Sequence, residues 1–411
     1  MHLSHRALGR LPRMATASAL VLCATMSHAY ADTPDCSTIS GGAPIIYGAG
    51  GSSQRDLIGK TAVLLENSAN PVFVVYQDSG GACTGINALA GLDATTITGT
   101  AYYWPADTGA KTTCNLSFSG DDVQFAVMGV TPEQCPLVTD PSLVDGINDV
   151  SGPISAYTPI VPLASTQQAI SAEAFYLLYG FGPAAGIEPW TNPDLAYFQR
   201  RDENSAAQII FSIATGIPTT SYYGTDAKSN TTMVSNLAAL ADPEAGIGFV
   251  SADVADANRA SVHTLAWKQT GQTVAYWPDS TSTSFDKANV RNGQYELWNP
   301  IHFFGLQGSG GPGTWDDANV QTLIEYLGGV SQPAGTTQSI TYTAIANRNI
   351  PVCAMHVARD GDIGPEYLAP PEAPCDCYYD YLVQGSTTCA TCDESNPCSS
   401  GTCRDGFCEA Y

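Results

Sequence analysis

Three times in this chain a short apolar run gives way to a loop of small or polar residues and then to a helix-forming stretch. "IIYGAGGSSQRDLIGKTAVLL" predicts a strand over 44–47, a loop over 48–52 and a helix over 53–66. "PVFVVYQDSGGACTGINALAGL" repeats the pattern, with a strand over 72–76, a loop over 77–83 and a helix from Thr84. "DLAYFQRRDENSAAQIIFSIATGIP" gives a strand over 195–199, a loop over 200–204 and a helix to Gly216. Strands that each feed a helix predict an α/β fold with mostly parallel sheets. Ligands of such sheets gather beyond the carboxyl ends of strands, where helix starts converge. The three loops therefore predict one shared site.

The Gly59-Lys60-Thr61 triplet in the first segment is not a nucleotide loop. The glycine such a loop needs five positions before Gly59 is Gln54 here, and Lys60 falls well inside the helix. Ser52 or Ser53 is the expected helix cap. A helix start of this kind also favours an anion.

Residues 1–31 read as an export signal. Arg6, Arg10 and Arg13 precede the apolar "MATASALVLCATM", and Ala29-Tyr30-Ala31 has the small-x-small form of a cleavage site. The apolar run is too short to span a bilayer, and Leu22 before Cys23 argues against a lipoprotein. A protein of the periplasm or cell surface is expected. The formal charge is −23, and losing the signal removes three arginines and no acid. Nucleic acid and anionic membranes are poor partners for such a chain. A small anion is not excluded, because a few local donors outweigh a distant field.

Of 13 cysteines, all but Cys23 lie beyond the signal. Cys36, Cys83, Cys114 and Cys135 form one even group; Cys353, Cys375, Cys377, Cys389, Cys392, Cys398, Cys403 and Cys408 form another. Six disulfides are expected; each group is even and so can close internally, with the pairings open. Cys389 and Cys392 have zinc-ligand spacing, but an oxidising compartment favours disulfides. Residues 346–411 read as a linker, "YLAPPEAP", and a stapled tail that could hold a surface partner.

The ordered segments "IIYGAGGSSQRDLIGK", "VVYQDSGGACTGINAL", "DDVQFAVMGVTPEQC", "IVPLASTQQAISAEAFYLLYGFG", "PWTNPDLAYFQRRDENSAAQIIFSIA", "EAGIGFVSAD" and "NGQYELWNPIHFF" together resemble the two-lobed phosphate-binding proteins of ABC importers, among the periplasmic solute-binding proteins. The resemblance implies a first lobe from 32–160 and 290–345, a second from 161–289, and a small anion, phosphate first, held between them. It implies importer membrane subunits as partners and no cofactor. It places the anion on Gly51, Ser52 and Ser53, on Ala82 in the second loop, and on Arg201, Ser205 and Ala206 in the third. Two positions depart from the pattern. Ala82 stands where a serine hydroxyl is expected, and Gly129 where the family carries the aspartate that accepts the proton of phosphate. Asp78, Asp121 and Asp122 are the candidate substitutes.

No G-x-S-x-G or H-E-x-x-H motif occurs, and no enzyme is predicted. His263, His302 and His356 lack metal spacing and are read as structural, and Arg200 likewise. The aromatic groups "AYYWPAD", "SYYG" and "AYWPD" are expected to pack internally. The alternative function is a surface interaction protein that keeps the scaffold and has lost the anion.

Overall fold

The computed structural model describes residues 33–409, so the signal reading lies outside the described residues. A nine-stranded sheet organises the chain. Its strands are β1 (Ile45–Gly50), β2 (Phe73–Gln77), β3 (Thr100–Tyr103), β4 (Thr112–Asn115), β5 (Phe125–Met128), β6 (Ile147–Pro162), β7 (Gly248–Ser251), β8 (Val262–Thr264) and β9 (Trp298–Leu306). They run in the order β7-β6-β9-β5-β1-β2-β3-β4, with β8 also on β6.

Period-two alternation explains the layers. Phe125 and Val127 of β5 join Ile46, Val74 and Tyr76 on one face, under Leu57, Ile58 and Leu65 of α1 (Arg55–Glu66) and Leu323 and Ile324 of α7 (Ala318–Leu327). Ala126 and Met128 face the other way with Ala49, Val75 and Ile86, the last from α2 (Cys83–Leu89).

β6 belongs to two halves of the molecule. Its residues 147–156 pair with β9, and residues 157–162 pair with β7 and β8. Around its second half lie α3 (Ala172–Phe181), α4 (Ala206–Thr215), α5 (Asn230–Ala238) and α6 (Ala252–Ala257). Phe175, Phe211, Tyr222 and Phe249 pack together there, stacked, tilted or edge-on, at centroid distances of 4.6 to 6.5 Å, so the second aromatic group packs as expected. This shared strand gives the two-lobed α/β architecture.

Several local expectations are corrected. Parallel pairing in the large sheet is confined to β5–β1–β2, the strands with helical returns; β6 and β9 pair antiparallel because they are the crossing strands. The strand expected over 195–199 is a 3₁₀ turn, Leu195–Tyr197, then a short strand, Gln199–Arg200, parallel to Thr225–Asp226. α1 is preceded by Gln54 rather than a serine, with no side-chain cap. Asp317 caps α7, its side chain accepting from Asn319 N and Val320 N.

All twelve cysteines beyond residue 33 are in disulfides: Cys36–Cys114, Cys83–Cys135, Cys353–Cys375, Cys377–Cys389, Cys392–Cys403 and Cys398–Cys408. Cys389 and Cys392 belong to different pairs, which removes the zinc reading. The segment read as a linker is partly ordered by pairing: Glu366–Leu368 forms a hairpin with Val357–Arg359.

This segment clasps the crossing strands. Ile350 exchanges backbone bonds with Ile154 of β6. Asp362 accepts from Thr131 N (2.8 Å) and from Asn299 Nδ2 of β9 (2.5 Å). Glu366 accepts from Trp298 Nε1 (2.6 Å). Arg291 donates to Asp376 and to Asp380 (2.9 Å), the first and fifth residues of α8 (Asp376–Gln384), and lies over the Tyr379 ring.

Candidate anion pocket

The three glycine, serine and arginine loops meet. A small pocket is lined by Gly51, Ser52, Ser53, Ala82, Arg201, Ser205 and Ala206, together with Ala207 and Asn230. The residues on which the resemblance placed the anion all lie in this wall; Asn230 was not named from the sequence. Asn230 opens α5, 29 residues after Arg201, and no local pattern marks it.

Each loop is held by its own backbone. Gly51 N donates to Val127 O (3.0 Å), and the Gly51 carbonyl is taken by the Tyr76 hydroxyl (2.9 Å) and Gln54 N. This leaves the Ser52 and Ser53 amides without a carbonyl partner in the loop. The second loop is drawn onto the third: Cys83 N donates to Asn204 O (3.2 Å). Gly81, at φ +90°, has no room for a side chain, since a Cβ would meet Asn204 at 2.9 Å. Cys83 is fixed from behind by its disulfide to Cys135. In the third loop Ser205 occupies the cap position of α4, yet its hydroxyl makes no capping bond. Ala206 and Ala207 are the first two residues of α4, and first-turn amides of a helix have no partner within it.

Arg201 decides the electrostatics. It is 2% exposed. Its Nη1 donates to Asn230 Oδ1 (2.8 Å) and its Nη2 to Lys228 O (3.1 Å), while Nε has no partner. Its own amide donates to Gln208 Oε1 (2.9 Å). Among the described residues no carboxylate forms an ion pair with it, although Arg55, Arg259, Arg291 and Arg359 all have one. Burial lowers its pKa, against the opposing fields of Asp202, Asp226 and Asp78. A buried charge without a counterion is costly. Ser52 Oγ, also buried, is likewise unpartnered. Two uncommitted donors in one closed wall are the chemistry of an anion site. The room for the centre of a water-sized sphere is about 10 Å³. That is about the least space that holds one water, so any larger guest enters only if the loops move apart.

No family model matches the chain, and no curated protein matches it. Among solved structures it is similar to an ABC-type phosphate transport receptor from Vibrio cholerae, at 12% identity, over 75% of this chain and 99% of that one, with a TM-score of 0.47. It is similar to a phosphate binding protein from Stenotrophomonas maltophilia at 13% identity, over 75% and 91%, with a TM-score of 0.42. A human phosphate binding apolipoprotein gives 15%, 75% and 91%, with a TM-score of 0.45. What this pocket can hold is set by its own walls.

The candidate acceptors are elsewhere. Asp78 is spent on Arg55 Nη1 (2.7 Å), and Asp121 accepts from Ser117 N (2.8 Å). Neither they nor Asp122 line the pocket; Asp122 borders a separate cavity with Asp316 and Asp317. Gly129 is closed to a carboxylate, because a Cβ there would lie 1.9 Å from Tyr157 Oη. The histidines have local partners: His263 with Gln167 O, His302 with Asp149, and His356 with Asn292 and Asp376. Arg200 donates to the carbonyls of Gly224 and Arg201.

Proposed function

We propose that this protein captures a small tetrahedral oxyanion between its two halves, outside the cytosol. The buried Arg201 guanidinium without a carboxylate carries this reading. Around it the free Ser52 hydroxyl, the uncapped Ser205 hydroxyl and the amides of the α1 and α4 starts supply donors for a single anion. Phosphate is the anion that the sequence resemblance implies. The signal-like residues 1–31 and the disulfide pairing of every cysteine among the described residues support an exported location, and uptake through importer membrane subunits would give the capture its purpose. The clasped tail would then serve as a protected end or a contact for a surface partner.

Calorimetric titration of the mature protein with phosphate, sulfate and arsenate tests the capture. One anion per chain is expected, with binding abolished in Arg201→Ala. Equal binding by wild type and Arg201→Ala would reject the pocket. A catalytic role is not part of the proposal.

A further inference from the structure

The pocket takes its walls from both halves of the molecule. Gly51, Ser52, Ser53 and Ala82 follow β1 and β2, while Arg201, Ser205 and Asn230 belong to the half around residues 157–162 of β6. The two sides touch, since Cys83 N donates to Asn204 O (3.2 Å). An anion enters when these walls part, and they part by bending where the chain crosses between the halves. The two crossings lie side by side. Tyr157 N donates to Leu297 O (2.8 Å), and Tyr295 Oη donates to Tyr157 O (2.6 Å). From Ala156 and Trp298 onward β6 and β9 pair within the first half.

Residues 350–380 are bonded to the second crossing on both sides of that point. On the far side is Arg291, the end of a short helix, Ala288–Arg291. Lys287, just before that helix, pairs with Asp256 of α6 (2.5 Å) and with Asp279 (2.8 Å), which fixes it to the second half. Arg291 Nε donates to Ala354 O (3.0 Å), His356 N donates to Arg291 O (2.9 Å), and the guanidinium holds Asp376 and Asp380. On the near side is Asn299 of β9. It donates to Asp362 (2.5 Å) and to Gly129 O (3.2 Å), and its Oδ1 accepts from Ile363 N (3.2 Å). Thr131, beyond the end of β5, also donates to Asp362 through N (2.8 Å) and Oγ1 (2.9 Å). Between these ends Arg359 Nη1 donates to Glu296 O (3.1 Å), and its guanidinium lies 3.9 Å from the centroid of the Trp298 ring. The Cys353–Cys375 disulfide closes the segment on itself.

A bend between residues 291 and 299 changes their separation, so a segment bonded to both must release one end. Several of these bonds are to ionised groups, the stronger kind. Resting on the oxyanion reading above, we propose that residues 350–380 form a strut across the bend. The strut holds the two halves closed and sets how fast the anion enters and leaves.

The test is release of labelled phosphate and labelled sulfate from the mature protein with its tail intact, chased with unlabelled anion. Asp362 lies outside the pocket wall, and Asp362→Ala frees the near end of the strut. That variant should release its anion faster than wild type by about tenfold or more. Its anion-free form should show the larger radius of gyration in small-angle scattering. Arg291→Ala frees the far end and should act the same way. If Asp362→Ala does not fold, Asp362→Asn, which keeps the shape and loses the charge, carries the test. A segment that serves stability alone would lower the melting point of the variants without changing release. Unchanged release in the folded variants overturns the strut and leaves the oxyanion site standing. Binding of neither anion by wild type overturns the oxyanion reading and the exchange role with it.

Discussion

Arg201 Nη1 lies 2.8 Å from Asn230 Oδ1, so the guanidinium takes from a neutral amide what Arg55, Arg259, Arg291 and Arg359 take from carboxylates. The positive charge is oriented without being neutralised, and it remains available to a ligand. Asn230→Asp should therefore neutralise Arg201 from within. Anion affinity is expected to fall by about tenfold or more, while the anion-free protein keeps or gains stability. Titration and melting on one preparation check both halves. Undiminished affinity would mean that Arg201 does not face the anion.

The Cys83–Cys135 disulfide closes a loop of 52 residues and anchors the start of α2 beside Ala82. Replacing both cysteines with serine should cost about 2–4 kcal/mol in denaturant unfolding. Anion affinity should drop as well, because the second loop loses its fixed approach to Asn204.

Asp253 of α6 is buried with an unpartnered Oδ1, and burial pushes its carboxyl up to about 7. Between the ordinary carboxylate range and about pH 7 the folded state holds a proton that the unfolded state has released. Stability must then fall as pH rises through that window. Asp253→Asn should remove this loss. The variant and wild type should melt alike in acid, and the variant should be the more stable above neutrality, by on the order of a few kcal/mol. Parallel stability-versus-pH curves would contradict the assignment.

Arg291 ties α8 to the body through Asp376 and Asp380 and is nearly buried. Arg291→Ala takes the guanidinium from Asp380 and from Asp376, which keeps His356, and should destabilise the C-terminal segment by about 2 kcal/mol. Limited proteolysis should show earlier cleavage within residues 350–409, with the rest of the chain intact.

The sequence made the pocket legible where the backbone pattern is local. A strand, a loop of small residues and a helix can be read from spacing, and the family resemblance then placed Ser52, Ser53, Ala82 and Arg201 on three such loops. Asn230 could not be found that way, because only the fold brings the start of α5 to Arg201. The antiparallel crossing strands were missed because a buried strand reads the same in either direction. The serine cap of α1 failed because the turn continues to Gln54, whose amide N donates to Gly51 O (3.3 Å) before the helix starts.

The most direct measurement is thermal unfolding of the mature, oxidised protein with and without oxyanions, in wild type and in Arg201→Ala. At a hundred times its dissociation constant an anion should stabilise wild type by about 2.7 kcal/mol. The midpoint should rise with sulfate or phosphate in wild type and stay fixed in Arg201→Ala. A wild-type midpoint that no oxyanion moves would contradict an anion pocket built around Arg201.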